Sequence, residues 1–227
     1  MLTLILDAST PAVAVAVARV EDDVRTVLSE ISVSNPGASD SLLPAIHAAL
    51  ELAEREIGDV DIILAGVGPG TFTGIRIAAS TARSLALGTG ASLSKNSTLA
   101  ALAASALSAF ALSSRPDILA VLDAKRRQVF AQRFSDGSAG EVVCVEPGEL
   151  EISGSPLVVG DGAVRYREVL SKLGEVPPDS SPLHRVSAAG HVLSADFAPI
   201  PPEAVVPIYV REPDAEVRRE LNPWSRP

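Results

Sequence analysis

The chain has 227 residues, of which 47% are hydrophobic and only 4% aromatic, so its core has to be built from aliphatic and alanine side chains. Its formal net charge is -9, which excludes a protein that binds nucleic acid through its own overall charge. The single cysteine, Cys144, excludes an intramolecular disulfide and a thiol-based metal cluster.

The N-terminal residues predict a cytoplasmic protein with no membrane attachment. The apolar run Leu2–Leu6 has no basic leader before it and is too short to span a bilayer. Three strands are predicted next to one another as an antiparallel meander: Leu2–Leu6, Ala12–Val20 and Val24–Val33. After the Asn35-Pro36-Gly37 break, a helix capped by Ser39 or Asp40 is predicted to run to about Arg55.

Residues 61–88 are the most informative stretch, because they combine a strand, a glycine-rich turn and a helix. The strand Ile62–Val67 leads into the turn Gly68–Gly74, and a helix with apolar residues at helical spacing begins at Ile75. This order points free backbone N–H groups and the positive end of a helix dipole at one spot.

The second half is predicted to begin after the break at Ser113-Ser114-Arg115-Pro116. The remaining predicted strands are Ala91–Leu93, Ile118–Leu122, Gln128–Phe134, Glu141–Val145 and Pro156–Val159, with an extended segment at Val205–Val210. The remaining predicted helices are Thr98–Leu112, Ala163–Leu173 and Ser187–Ala195.

A repeat of Leu-Asp-Ala indicates an internal duplication. Leu6-Asp7-Ala8 and Leu122-Asp123-Ala124 each end a strand and each precede a strand, a turn and a strand. We therefore expect an N-terminal domain at 1–112, a smaller C-terminal domain at 113–200, and a segment at 201–227 that packs back on the first domain.

The glycine turn fits neither of the common cofactor loops. A Walker loop needs a lysine after its last glycine, and Gly74 is followed by Ile75 and Arg76; the glycine spacing also differs from a dinucleotide fingerprint. The glycines favour the close approach of either a phosphate or another backbone. The candidate remnants of a nucleotide or phosphate site are Asp7, Ser9, Thr10, Gly68, Gly70, Thr71, Thr73, Gly74 and Asp123.

Asp7 and Asp123 have two interpretations. A carboxylate at the end of a buried strand can orient Mg²⁺-bound water beside a nucleotide, or it can be an ordinary turn residue. The three histidines at 47, 184 and 191 are scattered and form no metal-binding pair, so no metal site is predicted. The first two helices can be buried in the chain's own core or can bind a partner.

Four motifs resemble the TsaB family, also called YeaZ, of bacterial tRNA threonylcarbamoyladenosine synthesis. They are LDAST at 6–10 with SLLP at 41–44, GVGPGTFTGIRI at 66–77, and PIYVR at 207–211. Leu122-Asp123-Ala124, with Arg126-Arg127 and Val129-Phe130, resembles the second-half hairpin of the family.

The resemblance implies an α/β fold of two duplicated ribonuclease-H-like halves, as in acetate kinase, heat-shock chaperones and actin, with mixed sheets flanked by helices. It implies a non-catalytic subunit that pairs with the transferase TsaD and the ATPase TsaE, or with itself, and that meets tRNA only indirectly. ATP or ADP and metal then belong to the partner complex, and none is bound tightly by this chain alone. The implied interface comprises Leu42, Leu43, Ile46, Ile75, Arg76, Ala79 and Arg83.

The paired-histidine metal motif of TsaD is missing from this chain. An alternative interpretation is an ATP-dependent small-molecule kinase of the same superfamily, based on Asp7, Asp123 and the loops between the halves. Against the kinase, the chain is short for two kinase domains.

Overall fold

The structure is a computed structural model that describes residues 1–22, 24–34, 37–111, 115–135 and 137–210. Asn35 and Pro36 of the first predicted break, Ser113 and Ser114 of the second, and the tail from Arg211 lie outside the described residues. In the described part no helix combines the length and the apolar character that a bilayer-spanning segment needs.

Three strands at the N-terminus and two that follow them form the first sheet. They are β1 (Leu2–Asp7), β2 (Ala12–Glu21), β3 (Val24–Ser34), β4 (Ile62–Gly66) and β5 (Ser92–Asn96), in the order β3-β2-β1-β4-β5. The strands β1 to β3 pair antiparallel, whereas β1, β4 and β5 run parallel. The predicted meander is confirmed, and β1 becomes the central strand because β4 adds to its free edge.

The second sheet repeats this arrangement. It contains β6 (Ile118–Lys125), β7 (Gln128–Ser135), β8 (Ser138–Ala139), β9 (Val143–Val145) and β10 (Leu157–Val159). The strand β6 pairs antiparallel with β7 and parallel with β10, as β1 does with β2 and β4. The predicted fold class, an α/β protein with two related halves, is therefore confirmed.

Six α-helices of the described residues cover the two sheets. They are α1 (Ala38–Leu52), α2 (Phe72–Thr89), α3 (Thr98–Ser108), α4 (Asp161–Arg165), α5 (Arg167–Leu170) and α6 (Ala188–Ser194). Helices α1 and α2 pack on one face of the first sheet, where the buried side of α2 is mostly alanine. Small side chains let this helix approach the sheet closely.

The opposite face of the first sheet is covered by α6, although α6 comes late in the chain. Ala188, Val192 and Ala195 pack there against Ile5 and Leu64. Residues 200–208 also return to the first sheet: Ile200 pairs with Leu93 of β5, and Ile208 N donates to Val67 O over 2.8 Å.

Three predicted helices were too long. The helix predicted over Thr98–Leu112 ends at Ser108. The helix predicted over Ala163–Leu173 is broken at Tyr166, whose φ of -114° and ψ of 31° leave the helical region. The helix predicted to reach Arg55 ends at Leu52, because Glu54 adopts φ of 52° and Arg55 N donates back to Leu50 O over 3.0 Å. The segment predicted as extended at 205–210 makes contacts but forms no regular strand.

Candidate functional site

The glycine turn lies directly against the loop that follows β1. A Cβ atom at Gly70 would lie 2.1 Å from Ser9 O, and one at Gly74 would lie 1.8 Å from Ala8 O. Thr71 N donates to Ser9 O over 2.6 Å. Of the two candidates for close approach, a phosphate or another backbone, the structure therefore shows another backbone.

Asp7 lies at the centre of a buried polar cluster, hereafter the Asp7 cluster, formed with Ser9, Thr98 and His191. Asp7 Oδ1 accepts from Ser9 N at 2.6 Å and from Ser9 Oγ at 2.5 Å. Asp7 Oδ2 accepts from Thr98 Oγ1 at 2.9 Å and from His191 Nε2 at 2.8 Å. A carboxylate offers about four lone-pair positions, so the chain's own donors occupy all of those on Asp7.

Burial raises the pKa of Asp7, but the hydrogen bond and the charge interaction with His191, together with the bonds from Ser9, outweigh it and hold the pKa below the ordinary value. His191 is held from its other side as well, because Asn96 Nδ2 lies 3.2 Å from its Nδ1 and bonds Ser194 Oγ over 2.7 Å. The cluster thus joins the end of β1, the start of α3 and α6.

The carboxylate of Asp123, the counterpart of Asp7, accepts hydrogen bonds from a different set of donors. Its Oδ2 accepts from Lys125 Nζ at 2.8 Å and lies 3.5 Å from Arg165 Nη1. Its Oδ1 accepts from Lys125 N at 3.0 Å and from Tyr166 Oη at 3.4 Å. Burial raises the pKa of Asp123, but the Lys125 hydrogen bonds and the charges of Lys125 and Arg165 bring it below the ordinary value.

A small cavity of 160 Å³ lies where the two halves meet. Thr10 from the first half and Asp161 and Arg185 from the second half line it. The pKa of Asp161 is raised, first by burial and then by the nearby charge of Asp123, although the backbone N–H groups of Asp123 and Gly162 oppose the shift. The cavity is small, and the polar groups that line it include hydroxyl, carboxyl, imidazole and guanidinium groups.

The predicted remnants of a nucleotide site therefore separate into groups. Asp7, Ser9, Gly68, Gly70, Thr71 and Gly74 come together at the contact of the turn with the β1 loop. Thr10 lies at the cavity, Thr73 is exposed on α2, and Asp123 lies in the second sheet. Across the described residues, no three His, Cys, Asp or Glu side chains are grouped so that they could hold a metal ion.

The residues predicted for a partner interface divide by burial. Leu42, Ile46, Ile75 and Ala79 are buried in the chain's own core, so a partner cannot contact them on this fold. Leu43, Arg76 and Arg83 are exposed. Helical spacing alone could not show which face of each helix is buried in the core, because small residues occur on both faces.

Helix α2 presents a continuous exposed stripe, hereafter the α2 stripe. It consists of Phe72, Arg76, Ser80, Arg83 and Leu87. Leu87 is 90% exposed and Phe72 is 47% exposed, so both ends of the α2 stripe are apolar and its middle is cationic. An open groove of 710 Å³ runs along its C-terminal half, lined by Arg83, Leu87 and Ile200.

Tyr209, from the C-terminal segment that returns to the first sheet, contacts the N-terminal part of the α2 stripe. Tyr209 Oη accepts from Arg76 Nε over 2.8 Å, and the Arg76 guanidinium stacks 3.7 Å from the centre of the Phe72 ring. The Phe72 and Tyr209 ring centres are 5.7 Å apart. The i, i+4 spacing of Phe72 and Arg76 could have revealed their contact, whereas no local signal connects Tyr209 or His191 to its partner.

Comparisons with known proteins agree with this architecture. Residues 33–169 match the family model of TsaD, tRNA N6-adenosine threonylcarbamoyltransferase. An uncharacterized protein of Mycobacterium tuberculosis is 32% identical over 223 residues, which cover 94% of this chain and 93% of the relative.

The tRNA threonylcarbamoyladenosine biosynthesis protein TsaB of Haemophilus influenzae is 32% identical over 127 residues, which cover 56% of this chain and 51% of that protein. The structure of YeaZ from Pseudomonas aeruginosa has a TM-score of 0.74 at 24% identity, and the match covers 92% of this chain and 99% of that one, which shows a shared fold. The chain therefore belongs to the TsaD family of proteins and, within it, to the TsaB (YeaZ) group of tRNA threonylcarbamoyladenosine biosynthesis.

Proposed function

We propose that this chain is the non-catalytic subunit that pairs with a TsaD-type transferase, which transfers a threonylcarbamoyl group to an adenosine in the anticodon loop of tRNA. The observation that carries the proposal is the α2 stripe, which leaves Phe72 and Leu87 exposed on either side of Arg76 and Arg83. Aromatic and arginine side chains are the residues that protein interfaces enrich and that contribute most to binding.

The helix that packs against α2 also exposes an apolar side chain. Helix α1 packs against α2, and its Leu43 is 57% exposed. Exposed leucines on two helices that pack together support a protein partner rather than a small ligand. The same face would join two copies of this chain when the partner is absent.

The Asp7 cluster supports a subunit without its own chemistry. The carboxylate that follows β1 has four internal donors, so it has no lone pair left for metal-bound water. In the proposed assembly the partner complex binds the metal and ATP or ADP, a TsaE-type ATPase joins it, and most of the contact with tRNA is made by the partner in the cytoplasm. The same saturation of Asp7 argues against the small-molecule kinase.

The proposal is tested by mixing the full chain with the TsaD-type protein of the same organism and measuring the complex by size-exclusion chromatography and calorimetry. We expect a stable complex, and we expect Arg83→Glu and Leu87→Asp to weaken it at least tenfold. Lys172→Glu is the matched control, because Lys172 is also exposed but lies far along the chain in the second half.

Two results would contradict the proposal. One is the absence of any complex between the wild-type proteins. The other is turnover by the chain alone with Mg-ATP and a small-molecule acceptor, with micromolar binding of Mg-ATP in calorimetry. If the chain is a homodimer through the same face, titration with the partner should dissociate that dimer.

A further inference from the structure

The last described residues lie beside the first turn of α2. Tyr209 Oη accepts from Arg76 Nε over 2.8 Å, and the Tyr209 ring centre lies 5.7 Å from that of Phe72. Val210 follows and packs against the apolar cluster that α3 and β6 form. The chain is thus held in place at the point where residues 211–227 begin, which is the N-terminal end of the α2 stripe.

The other end of the α2 stripe borders the open groove of 710 Å³. Leu87, which is 90% exposed, lines the groove together with Ile200 and with alanine and proline residues. Among the described residues that line it, Arg83 is the charged one, and it makes no ion pair with the described part of the chain. Helix α2 itself contains no Asp or Glu. The occupant that fits this groove therefore combines apolar side chains with a carboxylate for Arg83.

The sequence of residues 211–227 has this combination. Its large apolar side chains are Val217, Leu221 and Trp224, which recur three or four positions apart, as residues on one face of a helix do. Glu220 directly precedes Leu221, so a carboxylate accompanies the apolar side chains. Four arginines balance the four carboxylates of the segment, so its attraction to the arginine of the groove is local and does not come from its total charge.

The segment and the α2 stripe also match in length. Leu87 follows Phe72 by 15 residues, and Trp224 follows Tyr209 by 15 residues. Because Tyr209 lies beside Phe72, a helical stretch of this length, about 22 Å, brings Trp224 level with Leu87. An extended chain of the same length reaches farther, so the groove is within reach of Trp224 in either conformation.

Attachment to the same chain favours this contact. A segment that is tethered beside its site is present there at an effective concentration in the millimolar range. A contact whose dissociation constant lies below this concentration is therefore formed in most copies of the chain. The contact also removes apolar surface of Leu87, Leu221 and Trp224 from water, which is favourable in proportion to the area.

We propose that residues 211–227 dock along the α2 stripe, with Leu221 and Trp224 in the groove beside Leu87, and that the TsaD-type partner displaces them when it binds. The inference rests on the proposed function, because it adds regulation to the proposed interface. In the free chain the docked segment covers the exposed leucine of the groove. A partner that binds only open chains then binds more weakly, in proportion to the open fraction.

Trp224 is the only tryptophan of the chain, so its fluorescence reports on the segment alone. Acrylamide quenching of this fluorescence is measured in the full chain, in its Leu87→Asp variant and in a synthetic peptide of residues 211–227. We expect a quenching constant at least about threefold lower in the full chain than in the peptide, because docking shields the ring in most copies. Leu87→Asp should restore the quenching constant of the peptide.

Leu193→Asp is the matched control for Leu87→Asp. Leu193 is also an exposed leucine, at 47%, but it belongs to α6, which covers the opposite face of the first sheet. The same charge is therefore introduced at a surface that the proposed contact does not use. Trp224 should stay as well protected from acrylamide in this variant as in the wild type.

A second measurement relates the segment to the partner. Leu221→Asp keeps Trp224 as the reporter but brings a charge to the groove, so we expect Trp224 to become accessible and the TsaD-type protein to bind more tightly in calorimetry. The gain in affinity should equal the reciprocal of the open fraction found by quenching, about three- to tenfold when the segment is docked in most chains. Asn222→Asp adds the same charge at the next position without removing an apolar side chain, and it should change neither quantity.

Four results would overturn the proposal. One is an equal quenching constant in the full chain and the free peptide. Another is protection of Trp224 that persists in Leu87→Asp, because the segment would then dock on another surface. Protection that rises with chain concentration would mean docking on a second copy. The last is a partner affinity that Leu221→Asp leaves unchanged although it frees Trp224, because the segment and the partner would then not compete.

Failure of the proposed function gives a different result. The wild-type chain would then form no complex with the TsaD-type protein. The quenching measurements need no partner, so they still decide whether residues 211–227 cover the groove. Protection of Trp224 that is lost in Leu87→Asp would support the docked segment in that case, and equal quenching in both chains would overturn it.

Discussion

Asp7 and His191 come from opposite ends of the chain and meet in the core, where His191 Nε2 donates to Asp7 Oδ2 over 2.8 Å. The Asp7 side chain is 1% exposed and that of His191 is 0% exposed. Because Asp7 ends β1 and His191 lies on α6, this hydrogen bond fastens a late helix to the central strand of the first sheet.

Asp7→Ala should lower the free energy of unfolding by about 3–5 kcal/mol, because it leaves His191, Ser9 and Thr98 without their buried acceptor. Glu141→Ala, at an exposed position outside helices and strands, is the control and should change stability by no more than about 0.5 kcal/mol. Urea unfolding measures both. Unchanged or increased stability in Asp7→Ala would mean that Asp7 is retained for a ligand instead.

Asp161→Asn should raise the stability of the chain near neutral pH. In the folded chain, burial is the main cause that raises the pKa of Asp161 above its ordinary value of 3.8. The folded chain therefore binds a proton at Asp161 more tightly than the unfolded chain does. The stabilisation of the fold by protonated Asp161 is therefore fully present below pH 3.8 and is lost as pH rises through the folded-state pKa. Unfolding free energies from pH 4 to 8 should fall less steeply in the variant than in the wild type.

Asp117→Asn is the control, because the pKa of Asp117 is shifted in the opposite direction to that of Asp161. Hydrogen bonds from Ser135 and then Arg133 hold the pKa of Asp117 below its ordinary value of 3.8. Its stabilising contribution is present above pH 3.8 and is lost as pH falls through the lowered pKa, so Asp117→Asn should reduce stability at pH 7. Identical pH profiles for the two variants would contradict the assignment of both shifts.

Gly74→Ala should destabilise the chain by about 2–3 kcal/mol, because the added Cβ would collide with the backbone oxygen of Ala8 at the start of α2. Gly88→Ala, near the other end of the same helix, meets nothing within 4 Å and should stabilise the chain by about 0.5–1 kcal/mol. Thermal unfolding of these two variants tests whether the backbone at Gly74 lies against the backbone oxygen of Ala8. Equal effects at the two sites would show that the turn can move away from the β1 loop.

Tyr209→Phe removes the hydrogen bond to Arg76 but keeps the ring beside Phe72. We expect the proposed partner complex to weaken by about 0.5–1.5 kcal/mol, because Arg76 loses the acceptor that holds its guanidinium in place. Calorimetric titration with the TsaD-type protein measures this. Tyr209→Ala should cost more, and a result in which neither change alters affinity would remove Arg76 from the interface.

Local patterns were sufficient to predict most of the elements and the duplication. The apolar runs that predicted β1, β2 and β4 are confirmed, because a strand needs only local alternation and a turn signal at its end. The repeated Leu-Asp-Ala correctly located two equivalent strands, β1 and β6. The helix predicted over residues 163–173 was wrong, because its periodicity could not reveal that Tyr166 leaves the helical region, nor that its hydroxyl reaches Asp123.

The sequence by itself determined the strand, glycine turn and helix at residues 61–88 and the family to which this chain belongs, because these depend on residues that are neighbours along the chain. Only the tertiary structure decided what the glycines approach and what Asp7 binds. Both answers depend on contacts between distant segments, such as the bond between residues 7 and 191, which no local periodicity encodes. The same holds for α2, where packing against the sheet buries Ile75 and Ala79 and leaves Arg76 and Arg83 at the surface.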